Sequence, residues 1–511
     1  MKELKYNKII FNLNNISKSI FFVSIAIFIY NSFKLNYYEI LFIDERILID
    51  DIYNVWLIDD VYKNFQNIES KTLRSFLIIL YEVSYGGDLR YGRLWSNFYI
   101  LLSGPFSLIN DTYLVTFTRI LNIFLFVFSA IILSKTFINK RYHWTFLLSC
   151  LSLPGLEFLI RIPKPEILSI FLISIGLFLL KNERLNLSFL FFGLATFVKI
   201  NFILFYAIIF LNVLRTSDHK LKLFFRSIFI TLGALFIVNP ILLIPPLKIF
   251  QTTLPNFYMQ YFEWISSQGI AGQSELYSSE YFISWSRTLS SFYKVPQFLY
   301  IFLPALIFLF IIYLFFYSFK SKQHLTMVFL ITSIMYLIFY FFFIDRQFEW
   351  YLTFPFLLLL ISLFKNIENF IKVNSLLLSF IFIFISFGTF SNLELNFENK
   401  LFAAPNNLGY QNIDNQEDAK LLVDEVIKTI ETSLKEQEEQ DSYVVFWNPN
   451  LFIPRNGVTY NANFYVRESW DNDNLNKILE EADFFVSDQE FNQQNIVKLK
   501  VENFYIYQKK N

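Results

Sequence analysis

The chain has 511 residues, 55% apolar and 20% aromatic, with 66 phenylalanines and only 17% charged residues. Soluble domains carry about 25% charged residues, so most of this sequence is built for lipid. Lys plus Arg balances Asp plus Glu at 43 each, which leaves no basic excess to attract nucleic acid. The single Cys150 excludes an internal disulfide, and His143, His219 and His324 are too scattered for a zinc site.

Lys2, Lys5, Lys8 and Lys18 precede an apolar run, Ser19–Tyr38. No small-residue cleavage site follows, so the run reads as a retained first span with its basic end in the cytoplasm. A long first external loop, 38–118, comes next. Within it Leu94–Ile109 is apolar, but a span there would carry Lys140 and Arg141 outside, so it reads as interfacial or re-entrant. Further spans are expected at Arg119–Phe137, Trp144–Ile160, Glu166–Leu180, Leu223–Ile244, Gln297–Phe319, Leu325–Ile344, Trp350–Phe364 and Ser375–Phe390.

Leu187–Leu214 has basic residues on both flanks, Lys181 and Arg184 before it and Arg215, Lys220 and Lys222 after it. Keeping both flanks inside requires a hairpin broken at Val198-Lys199-Ile200-Asn201. Each arm then measures roughly 18 Å, short of a ~30 Å hydrocarbon core. One long tilted span is the alternative, and it inverts everything downstream. With the hairpin, a polytopic α-helical membrane protein of about 11 spans is expected. The N-terminus is then cytoplasmic, and the residues from Asn392 onward lie outside.

That tail reads as a separate α/β domain, 392–511, beside a transmembrane domain, 1–391. Ala419, Leu422, Val426, Ile430 and Leu434 recur at helical spacing within Glu417–Glu439. Strands are expected at Tyr443–Trp447, Val458–Val466, Phe484–Ser487 and Val501–Tyr507, with a helix at Asn474–Ala482.

Two short stretches carry candidate chemistry. The first loop opens with Ile43-Asp44-Glu45-Arg46, and Ile47, Leu48, Ile52 and Val55 are helix-spaced behind it, so a surface helix begins here. Asp44 then serves either as a cap or as a reactive carboxylate. The second is Arg161-Ile162-Pro163-Lys164-Pro165-Glu166, stiffened by two prolines between two spans. Glu166 stands at a helix N-terminus, whose dipole favours a carboxylate with or without a site role.

The order of these elements resembles the bacterial members of the GT-C superfamily of polyprenyl-phosphate-sugar-dependent glycosyltransferases. That group includes the aminoarabinose transferase and the protein O-mannosyltransferases. Asp44-Glu45-Arg46 follows the first span, and the Arg161–Glu166 loop resembles their second acidic loop. Gly193-Leu194-Ala195-Thr196-Phe197-Val198-Lys199 is similar to their Gly-Leu-Ala…Thr-Lys segment, and Trp350-Tyr351-Leu352-Thr353-Phe354-Pro355 to their late Tyr-Leu-x-x-Pro span. Where many relatives carry His-Pro-Pro-Leu, this chain has Tyr85-Gly86-Gly87-Asp88-Leu89-Arg90-Tyr91-Gly92-Arg93-Leu94-Trp95.

The resemblance implies transfer of a sugar from a polyprenyl-phosphate donor to a hydroxyl on a lipid, glycan or protein, at the outer face of a bacterial plasma membrane. Displacing a phosphate from an anomeric carbon needs no general acid, because the leaving group is a stable anion. It needs a base for the acceptor and cations for the phosphate. Asp44 is the base candidate. Glu166 orients the acceptor, or shares a divalent metal with Asp44 if one is used, and Glu45 lies beside them. Arg90, Arg93, Lys199 and Arg287 are the phosphate-binding candidates. Equally, Lys199 could snorkel to the interface, and Arg90 and Arg93 could anchor a helix to anionic lipid. A transporter or flippase for lipid-linked sugars is the rival class. Charges clustered toward one face, and the absence of a visible repeat, favour the enzyme.

Overall fold

The computed structural model describes residues 2–34, 45, 48, 49, 52, 93–107, 111–238, 279–343, 349–373, 385–393, 416–434, 443–447, 464–468, 475–487, 489–491, 496–501 and 504–509. The chain divides into two compact units. One comprises Met1–Lys34 and Ile47–Glu394; the other comprises Leu35–Arg46 and Leu395–Asn511. The first unit therefore runs to Glu394, and Asn392, expected to open the tail, belongs to the helical body.

The first unit is built of helices and contains no strand among its described residues. In chain order its helices are α1 (Lys2–Lys34), α2 (Arg93–Ser107), α3 (Asp111–Phe137), α4 (His143–Cys150), α5 (Leu156–Arg161), α6 (Pro165–Lys181), α7 (Leu185–Val198) and α8 (Ile203–Thr216). There follow α9 (Lys220–Val238), α10 (Ser279–Phe292), α11 (Phe302–Lys320), α12 (His324–Phe343), α13 (Thr353–Val373) and α14 (385–393). Five stretches are long and apolar enough to cross a bilayer: Asn14–Phe33, Tyr113–Phe137, Phe302–Lys320, His324–Phe342 and Trp350–Ile367. The first four carry bare outer stripes, whereas Trp350–Ile367 is mostly buried. Phe302, Leu306, Leu309 and Phe316 recur every three to seven residues along α11 and are all exposed. A row of that size has no place in water. The protein is an integral membrane protein.

Two breaks interrupt the apolar segments. The first falls at Lys199, whose extended backbone separates α7 from the 3₁₀ turn Ile200–Phe202 and α8. In one straight helix Phe189 and Phe210 would stand about 30 Å apart. Instead their rings lie 5.8 Å apart, and those of Phe192 and Phe205 5.6 Å. The chain therefore doubles back at Lys199. A second hairpin, α6 against α7, is sewn by Ser169 donating to Ala195 O (3.0 Å) and Ser188 to Gly176 O (2.8 Å). Gly176 permits this approach, since a Cβ there would meet the Phe192 ring at 2.5 Å.

The second break corrects the sequence reading. Trp144–Ile160 is not one span but α4, a turn, and α5. Pro154 interrupts the helical ladder, and Gly155 takes a left-handed φ of 68° that other residues adopt only with strain. The freed backbone groups are satisfied from afar. Asn392 Nδ2 donates to the carbonyls of Leu151 (2.7 Å) and Leu153 (2.9 Å), while its Oδ1 accepts from the Glu157 N–H (3.3 Å). Thr353 Oγ1 donates to Pro154 O at 2.6 Å. Irregular backbone at membrane depth requires such internal partners.

The second unit carries α15 (Gln416–Leu434), β1 (Tyr443–Trp447), β2 (Phe464–Glu468), α16 (Leu475–Glu481), β3 (Phe484–Ser487), β4 (Ile496–Val501) and β5 (Phe504–Lys509). The sheet order is β2-β1-β3-β5-β4; β1 runs parallel to β2 and β3, and β5 antiparallel to β3 and β4. Strand alternation sends Val445, Trp447, Phe484, Val486 and Ile506 toward α15. Phe485 and Tyr507 point the other way, onto α16. The single strand expected at Val501–Tyr507 is two, meeting where Val501 pairs with Phe504.

Candidate functional site

Six charged side chains are buried around the start of α6: Arg119, Glu157, Arg161, Lys164, Glu166 and Lys199. Charge inside an apolar helical body is costly and marks function by default. The break at Pro154-Gly155 starts α5, which places Glu157 and Arg161 one turn apart. Arg161 Nη1 donates to Glu157 Oε1 at 2.8 Å.

Pro165 sits in the first turn of α6, where its missing N–H costs nothing, and sets Glu166 in that same turn. The break after α7 brings Lys199 to it. Lys199 Nζ lies 3.2 Å from Glu166 Oε1. Glu166 is 6% exposed, and its Oε2 has no hydrogen-bond partner among the described residues. It lines a narrow cleft walled by rings, among them Tyr336, Tyr340, Trp350, Tyr351 and Phe354. Tyr336 hydroxyl donates to Asn201 O at 2.5 Å, fixing this wall to the Lys199 break. Lys164 stands 4.4 Å from the Trp350 ring centroid, a cation–π contact on the same wall. Asn122 completes the frame: its Nδ2 donates to Leu159 O and Ile162 O, both at 2.9 Å, and its Oδ1 accepts from the Tyr99 hydroxyl.

Of the residues singled out from sequence, the structure brings Glu166 and Lys199 together. Arg161 and Lys164, expected at an outer loop, are buried with them. Glu45 is also buried and groups with the second unit; Leu48, Ile49 and Ile52, from the helix expected there, are helical and buried. Asp44 and Arg90 lie outside the described residues, as does the side chain of Arg93 at the start of α2. Arg287 lines a different cleft, with Ser290, Ser291, Lys294 and Tyr300, which shares no residue with the Glu166 cleft. Sequence reasoning passed over Arg119, Glu157, Asn122 and the aromatic wall. Charges within apolar runs were the available signal for the first two.

Among the described residues no three His, Cys, Asp or Glu side chains cluster as metal ligands. No protein-family model, no curated protein and no solved structure matches this chain.

Proposed function

We propose that this protein is a membrane glycosyltransferase of the GT-C type, which moves a sugar from a polyprenyl-phosphate donor to a hydroxyl on a lipid, glycan or protein. One observation carries the reading. A buried carboxylate beside an aromatic cleft keeps one oxygen on a lysine, while the other has no partner among the described residues. Glu166 Oε2 is placed to accept a hydrogen bond from an acceptor hydroxyl, and the rings suit the apolar face of a sugar.

In this reading the acceptor oxygen attacks the anomeric carbon as its proton passes to Asp44. The bond from that carbon to the phosphate oxygen breaks, its electron pair leaves on the phosphate, and the anomeric configuration inverts. Lys199, with Arg90 and Arg93, neutralises the leaving anion. A divalent ion on Glu166 would have to displace the Lys199 ammonium, so orientation of the acceptor is the role that fits this carboxylate better. The site faces outside the plasma membrane.

Purified protein in nanodiscs should transfer label from a polyprenyl-phosphate sugar and not from the corresponding nucleotide sugar. Asp44→Asn should lower turnover about 10²–10⁴-fold, the usual reach of a general base. Direct use of a nucleotide sugar overturns the proposal. A transporter for lipid-linked sugars is the second reading, supported by two broken apolar segments with buried charge at each break. It requires translocation across sealed vesicles with no new glycosidic bond.

A further inference from the structure

The cleft at the end of α10 lies apart from the Glu166 site and has its own chemistry. Arg287, Ser290, Ser291 and Lys294 follow one another at helical spacing down one face and around the helix end. The wall opposite is Pro296 and Tyr300, and the cleft contains about 1270 Å³ of space, part of it open to the surroundings. Among the described residues two cations, two serines and the Tyr300 phenol line it, and no carboxylate does. Such a set recognises an anion with several acceptor oxygens.

Two contacts give the cleft a fixed shape. Arg287 carries its guanidinium 5.5 Å from the Tyr300 ring centroid, which holds the flat group in place by its face and leaves its N–H edge for a ligand. Ser290 Oγ donates to Tyr300 O at 3.5 Å and ties α10 to the turn that leads into α11.

What adjoins the cleft chooses the anion. Phe298, two residues past Pro296, is 78% exposed, and the bare stripe Phe302, Leu306, Leu309 and Tyr313 continues down α11. From Phe302 to Tyr313 that stripe rises about 16 Å, close to one leaflet of a ~30 Å core. A cationic, hydroxyl-lined hollow at the top of a greasy groove one leaflet deep matches an amphiphile: phosphate above, acyl chain below. We propose that this cleft binds the phosphate headgroup of an anionic bilayer phospholipid, with an acyl chain laid along the exposed face of α11. The inference rests on the protein being embedded in a membrane and stands independently of sugar transfer.

The test uses the full chain in nanodiscs of phosphatidylcholine with a minor share of phosphatidylglycerol, followed by native mass spectrometry. The parent protein should retain phosphatidylglycerol at least tenfold over its share of the bilayer. Arg287→Ala/Lys294→Ala should fall to the bulk ratio, while Lys222→Ala, on α9, should not change retention. If the double variant fails to fold, Arg287→Gln alone should weaken retention severalfold. Retention unchanged in these variants overturns the proposal. So does displacement of the lipid by inorganic phosphate, which would mark a soluble-anion site, or its displacement by equimolar polyprenyl phosphate, which would make the cleft a donor subsite.

Discussion

Glu166 divides its two oxygens between two environments, one an ammonium and the other an aromatic hollow, and this makes its substitutions informative. Glu166→Gln keeps the shape but removes the carboxylate charge 3.2 Å from the buried Lys199. Breaking a buried pair from one side costs about 3–5 kcal/mol. Glu166→Gln and Lys199→Met should each destabilise by that order, whereas the double variant should regain most of the loss. Sugar transfer should be lost in all three, because each lacks the carboxylate that orients the acceptor, the ammonium that neutralises the leaving phosphate, or both. An active double variant would show that the pair is purely architectural. Both residues were legible singly, Glu166 from its proline-stiffened approach and Lys199 from its place in an apolar run. Their pairing was not, since it depends on two chain reversals that bring separate segments together.

Asn392 is a residue of another kind. Its one amide serves two carbonyls and an N–H at the α4–α5 break. Asn392→Ala strands the Leu151 carbonyl and the Glu157 N–H, at about 1–3 kcal/mol for each buried group left unpaired, while Leu153 O keeps its bond from Leu156 N–H at 3.2 Å. Asn392→Asp should be worse than Ala, since an oxygen would then face the carbonyls of Leu151 and Leu153. Thermal unfolding in detergent measures both, and a parent-like midpoint for either variant would deny the staple. Nothing in the local sequence of Asn392 announces this, because the groups it satisfies lie in α4 and α5.

At the scale of elements, three helices end on a residue at positive φ where glycine is usual: Glu183 (60°) after α6, Lys294 (53°) after α10 and Lys322 (54°) after α11. After α6 and α11 the backbone closes the same cap, with Arg184 N donating to Leu179 O at 2.9 Å and Gln323 N to Ser318 O at 2.9 Å. An L side chain in this conformation costs roughly 1–2 kcal/mol, which glycine avoids. Glu183→Gly and Lys322→Gly should therefore stabilise by about 1 kcal/mol each, visible as a rise in the midpoint of unfolding. A fall in both would mean that the side chains hold contacts worth more than the strain. Sequence reading located one break and missed the other for a related reason. The charges flanking α7 and α8 force an even number of crossings, while Pro154-Gly155 is a turn signal submerged in an unbroken apolar run.

For the whole molecule, the expected topology is testable because Cys150, the single cysteine, is buried. Glu425→Cys on α15 and Lys222→Cys on α9 place new thiols at exposed positions. A membrane-impermeant maleimide added to spheroplasts should label the first and spare the second. The opposite pattern would invert the protein in the bilayer and move Glu166 to the cytoplasmic side. Composition identified the membrane class, and hydropathy found the long spans, since both depend only on local apolar content. The short helices α4, α5 and α7 are mostly buried against neighbours and are legible only once those neighbours are placed.

The Asn392 contacts also set a timetable. Residues 151–157 leave the ribosome long before Asn392 does, and the partners that finish that turn are 235 to 241 positions further along the chain. At ordinary elongation rates of about 5–20 residues per second the gap lasts on the order of ten to fifty seconds. Throughout that interval the nascent protein presents open peptide groups at the α4–α5 turn, where lipid offers them nothing. The insertion machinery must shelter that turn until synthesis is nearly finished, and chains arrested before Asn392 should be cleared by quality control sooner than chains arrested just after it.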